Sequence, residues 1–83
     1  MSKIYKQPNK SETETTVNVL YGENMISIYT NKPELQRELG KVLGEPKKEY
    51  IQGRSIIGSI WEIPLTEKSK ISKMILKENI FEF

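Results

Sequence analysis

The chain has 83 residues, enough for one domain, and a formal net charge of +2. It contains no cysteine, no histidine and no aspartate. Disulfide staples, thiolate chemistry, histidine bases and the usual zinc ligand sets are therefore excluded within it.

No apolar run approaches the ~18 residues of a membrane span. The opening "MSKIYKQPNKSETET" lacks the apolar core of a signal peptide, so the expected location is the cytoplasm. From Met1 to Pro46 six basic residues face six glutamates, and from Lys47 to Phe83 seven face five. The positive excess is mild and lies in the C-terminal half, too small by itself to mark a nucleic-acid binder.

Residues 1–12 read as a flexible N-terminal arm. "KQPNKSET" is polar, holds a proline and has no period. Lys3, Tyr5, Lys6 and Lys10 could order it against a partner. Residues 13–83 read as a single α+β domain. In "TTVNVLYGENMISIYTN" apolar and polar positions alternate on both sides of Gly22-Glu23-Asn24, which predicts a β-hairpin with strands near 14–21 and 25–30. Val17, Val19, Ile26 and Ile28 share the face that should meet the core.

The period then changes. Leu35, Leu39, Val42 and Leu43 form one helical stripe through "NKPELQRELGKVLG". Asn31 and Glu34 have capping-box spacing, and Pro33 sits in the first turn, where its missing N–H costs nothing. Gly44 and Pro46 supply the stop. Gly40, inside the helix, suggests a close approach to the sheet.

A second hairpin follows, with strands near 47–52 and 55–63 around a Gly53-Arg54 turn. Strict alternation puts Ile57, Ser59, Trp61 and Ile63 on one face and Ile56, Gly58, Ile60 and Glu62 on the other. Pro64 closes the strand, and Gly58 is a candidate bulge or point of close approach. Thr66 and Glu67 suit the start of a last helix through "TEKSKISKMILKEN". Ile71, Met74 and Ile75 give that helix a narrow apolar stripe, with Ile80, Phe81 and Phe83 expected to plug the core. The element order ββαββα predicts a four-stranded, mainly antiparallel sheet with two helices on one face.

Little in this chain can do covalent chemistry. The serines have no histidine to activate them, and "GRSIIG" lacks the lysine and the strand-loop-helix order of a phosphate loop. We therefore expect a non-enzymatic protein with no cofactor, metal or catalytic residue. Trp61 is either a core side chain with its N–H tied to a neighbour or an interface anchor. If the helices cover one sheet face, Ile56 and Ile60, with Tyr29 and Tyr50, form an apolar patch on the other. Tyr50, Arg54, Ile56, Ile60 and Trp61 are the candidate partner-binding residues, for a larger host protein. The alternative is a phosphate-contacting set, Lys47, Lys48, Lys70, Lys73 and Lys77, reaching nucleic acid. A homo-oligomer built through a sheet face or edge strand is compatible with either. No membrane partner is expected.

The stretches "ETTVNVLY", "SIYTNKPELQRELGKVLGEP" and "GSIWEIPLTEKSKISKMI" resemble short proteins of low-GC Gram-positive bacteria and of their phages and mobile elements. The likeness spans residues 12–80 and contains no diagnostic catalytic motif. It carries no function to transfer, but genes of this size in such elements often encode inhibitors of host defence nucleases, anti-CRISPR proteins among them. That context implies an inhibitor that occupies a surface on a larger host protein.

Overall fold

The structure, a computed structural model, describes residues 3–72. Strands β1 (Thr15–Leu20) and β2 (Met25–Thr30) form the first hairpin. Its tight turn places Asn24 in the left-handed region (φ 53), where asparagine is tolerated. Helix α1 (Pro33–Leu43) follows, then β3 (Lys48–Gln52) and β4 (Ser55–Pro64), joined at Gly53 with φ 63. All neighbours are antiparallel, in the order β1-β2-β4-β3. The two hairpins thus join through β2 and β4, with Ile28 opposite Trp61 and Ile26 opposite Ile63. The chain is α+β, with a four-stranded antiparallel sheet.

The core lies on one face of this sheet. Ile26, Ile28, Trp61 and Ile63 meet Leu35 and Leu39 of α1, with Ile71 beside them. Val17, Leu43 and Leu65 pack around the rim. Burying each large aliphatic side chain contributes roughly 1.5–3 kcal/mol. Val42, expected in the helical stripe, is instead 46% exposed. Gly40 is not a contact point either: a Cβ built there meets no atom within 4 Å.

Asn31 does not cap α1. The N-cap position is Lys32, and no side chain caps it. Asn31 is buried and turned to the start of β1: its Oδ1 accepts the Glu14 N–H at 2.8 Å and its Nδ2 donates to the Glu12 carbonyl at 2.7 Å. Thr30 Oγ1 accepts the Lys32 N–H at 3.1 Å, providing a local bond at the helix entry.

The last expected helix does not begin as one. Leu65–Lys70 forms tight 3₁₀ turns, broken at Glu67, and Pro64, not Thr66, holds the N-cap position, with no side-chain cap. Leu65 and Ile71 both reach the core. In an α-helix two residues six apart lie roughly 120° from each other around the axis, so the tighter path lets both side chains turn inward. Lys73, Met74, Ile75, Lys77, Ile80, Phe81 and Phe83 lie outside the described residues.

Residues 3–12, read from sequence as an arm, run beside the sheet. Ile56 donates its N–H to the Ile4 carbonyl at 2.7 Å and accepts the Lys6 N–H at 3.0 Å, in a short parallel pairing. β2 has by then turned away into α1, and the arm takes its lane along β4. Lys3 Nζ donates to Glu45 at 2.8 Å and to Glu49 at 2.7 Å, while the Arg37 guanidinium lies 5.2 Å from the Tyr5 ring centre.

Candidate interaction surface on the open sheet face

Opposite α1, the sheet presents Tyr29 from β2, Lys48 and Tyr50 from β3, and Gly58 and Ile60 from β4. Register places them together: Tyr29 is opposite Ile60, Ile60 opposite Lys48, and Tyr50 opposite Gly58. The two tyrosine rings meet edge to face, with centroids 6.0 Å apart and planes at 71°. Lys48 Nζ lies 4.8 Å from the centre of the Tyr50 ring, in cation–π range. The Tyr29 ring lies across Gly58, the one position in β4 without a side chain to block it.

A bulge decides which isoleucine joins this face. Tyr50 pairs with Gly58, but the next residue, Ile51, pairs with Ile56. Ile57 is the extra residue. In such a bulge two residues oppose one, and the strict alternation breaks. Ile57 therefore turns to the open side, where with Tyr29, Lys6, Pro8 and Gln52 it lines an open cavity of about 250 Å³. Burial there raises the Tyr29 phenol above its usual pKa of 10.0, with smaller contributions from the charge of Glu14 and from Tyr50.

The expected partner-binding residues separate on these facts. Tyr50 and Ile60 lie half-buried on the open face, and Arg54 is exposed at the adjoining hairpin tip. Ile56 is a correction: it is 6% exposed, because the bulge reverses its side and the arm pairs along it. Trp61 takes the first of its two readings, the core one, and not that of an interface anchor. It is 3% exposed, and its indole N–H donates to the Gly44 carbonyl at 3.0 Å, so it is a core side chain. Sequence alternation missed Ile57, although Gly58 in mid-strand was the available sign of a bulge.

The lysines do not form one free stripe among the described residues. Lys47 pairs with Glu62 at 2.9 Å and Lys70 with Glu67 at 2.8 Å. Lys48 sits against Tyr50. Lys73 and Lys77 lie outside the described residues. No helix among the described residues is long and apolar enough to cross a membrane. No protein-family model, curated protein or solved structure matches the chain.

Proposed function

We propose that the protein is a non-enzymatic interaction module that docks on a larger protein through the face bearing Tyr29, Tyr50, Ile57 and Ile60, with Arg54 at its rim. The carrying observation is the tyrosine pair held over Gly58. Tyrosine offers large contact area, a polar tip and only two side-chain torsions to freeze, which is why interfaces are enriched in it. Here one of those rings is already fixed by packing. In its most concrete form the partner is a cytoplasmic host defence nuclease and the protein a phage- or mobile-element-borne, anti-CRISPR-like inhibitor. The +2 charge argues against mimicry of DNA and for docking on an apolar surface.

Capture from host lysate, with and without nuclease treatment, tests this reading. One large protein should be retained after nuclease treatment. Tyr50→Ala and Arg54→Ala should each reduce capture at least tenfold while leaving an Arg54→Ala melting curve where the parent's is. Undiminished capture by both variants would sink the assignment of this face.

One observation favours nucleic acid as a second reading. Lys48 beside Tyr50 combines a cation with a stacking surface. That reading requires affinity to fall steeply with salt. Salt-independent binding, or none at low salt, removes it.

A further inference from the structure

The two edges of the sheet differ. β3 carries Lys48 and Glu49, and its pairing with β4 is interrupted by the bulge. Charge and bulges are the features that keep edge strands from pairing with other chains. β1, the opposite edge, reads Thr-Thr-Val-Asn-Val-Leu: no charge, no proline, and an unbroken register with β2 from Thr15 to Leu20. Among the described residues no strand lies against its outer side.

The hydrogen bonds say which backbone groups point outward. Glu14 turns both its N–H and its carbonyl towards Asn31, at the end of β2. Alternate residues of an antiparallel strand direct both groups to the same side. Thr16, Asn18 and Leu20 therefore face β2, and Thr15, Val17 and Val19 face out. The Thr15 and Thr30 hydroxyls, 2.8 Å apart, fit a pair without mutual backbone bonds, where side chains come closest. Val17 and Val19 point their side chains to the core face but stay half-buried, because α1 lies over β4 rather than β1.

We propose that β1 pairs with β1 of a second copy, antiparallel, in a closed two-fold dimer. With Val17 on the axis, Thr15 of one copy faces Val19 of the other, and every outward N–H and carbonyl of Thr15, Val17 and Val19 finds a partner. This pattern is self-complementary. An antiparallel homotypic pair sets a strand against its own reverse, so charge in the paired stretch would risk meeting its like; residues 15–20 have none. The axis stands perpendicular to the sheet. The half-exposed valines of both copies then meet on the core side, joining two cores beneath one continuous sheet. The face bearing Tyr29 and Tyr50 stays open in this dimer, so the proposal stands apart from the docking face.

Light scattering of the full chain over a concentration series should give about twice 9.7 kDa at the high end. Thr16→Lys/Asn18→Lys sets lysines opposite one another on the exposed side and should return the monomer mass; Thr16→Glu/Asn18→Glu should do the same. An equimolar mixture of the two should recover the dimer. Hydrogen exchange of the unmodified chain supplies a readout independent of any variant. The amides of Val17 and Val19 should exchange slowly in concentrated solution and fast on dilution, while those of Thr16 and Asn18 stay protected in both. A strict monomer at all concentrations overturns the proposal, as does an assembly larger than a dimer. Dimers that persist in both charged variants do so too. Val17 and Val19 amides protected equally in dilute protein would mean the edge is closed within the chain itself, and would also overturn it.

Discussion

The Tyr29 phenol occupies the space that a side chain at Gly58 would need. A Cβ on Gly58 would lie 2.6 Å from Tyr29 Oη and 2.9 Å from the ring. These positions are on neighbouring strands but not directly opposite, so the ring leans diagonally along the sheet. Its edge then reaches Tyr50, directly across from Gly58. The missing side chain is what allows two tyrosines to meet on this face.

Gly58→Ala should therefore push the Tyr29 ring out of place. Overpacking of this kind costs typically 1–3 kcal/mol. Thermal melting should show the loss, and partner capture should fall with it. A variant as stable as the parent would mean that the ring moves aside freely and is not preorganised.

Gly40→Ala has the opposite expectation. The position is inside α1, its backbone is not left-handed, and a Cβ there meets nothing within 4 Å. Alanine in a helix interior is favoured over glycine by up to about 1 kcal/mol. Urea unfolding should move to a higher midpoint with an unchanged slope. A lower midpoint would refute the open surroundings of this residue.

Asn31→Ala should cost about 1–3 kcal/mol, because it deletes a buried side chain that donates one hydrogen bond and accepts another. Asn31→Asp keeps the acceptor but sets a carboxylate against the Glu12 carbonyl, so at neutral pH it should also destabilise. Urea titration of both variants checks this. If Asn31 acted as an ordinary helix cap, Asp would substitute with little loss.

Alkali should weaken the fold. Burial raises the Tyr29 phenol above 10.0, and the hydrogen bonds to Glu45 and then Glu49 raise the Lys3 ammonium above 10.5. In both cases the unfolded chain loses its proton first, so stability falls as pH rises. The contribution is complete below pH 10 and is lost on the way up through the raised values. Tyr29→Phe and Lys3→Met should each flatten the decline measured by urea unfolding between pH 9 and 12. A parent whose stability is level across that range would contradict both assignments.

The hairpins, α1 and its stop at Gly44 were legible in sequence because they rest on local features. Alternation around Gly22-Glu23-Asn24 and around Gly53-Arg54, and the spacing of Leu35 and Leu39, report structure that forms among near neighbours. The residues of the open sheet face were legible only in part. Tyr50, Ile60 and Arg54 fall on it or at its rim. Ile56 and Trp61 do not, and for different reasons. Trp61 sat on the core face by alternation from the start, and its bond to Gly44 brings together residues seventeen apart in the chain. Ile56 was misplaced because one extra residue, Ile57, reverses every side-chain direction beyond it.

What the amino-acid order determined by itself was the two hairpins, α1 and the apolar faces of β2 and of β4 from Ser59 onward, since these follow from turn chemistry and periodicity over a few residues. Only the tertiary structure decided the strand order β1-β2-β4-β3, the pairing of Ile4 and Lys6 with Ile56, and the diversion of Asn31 from helix cap to strand clamp. It also decided that Leu65–Lys70 winds as 3₁₀ turns. Each of these depends on backbone groups finding partners far away in sequence. A buried N–H or carbonyl must be satisfied by whatever the fold brings alongside it, and no local pattern records which residue that will be.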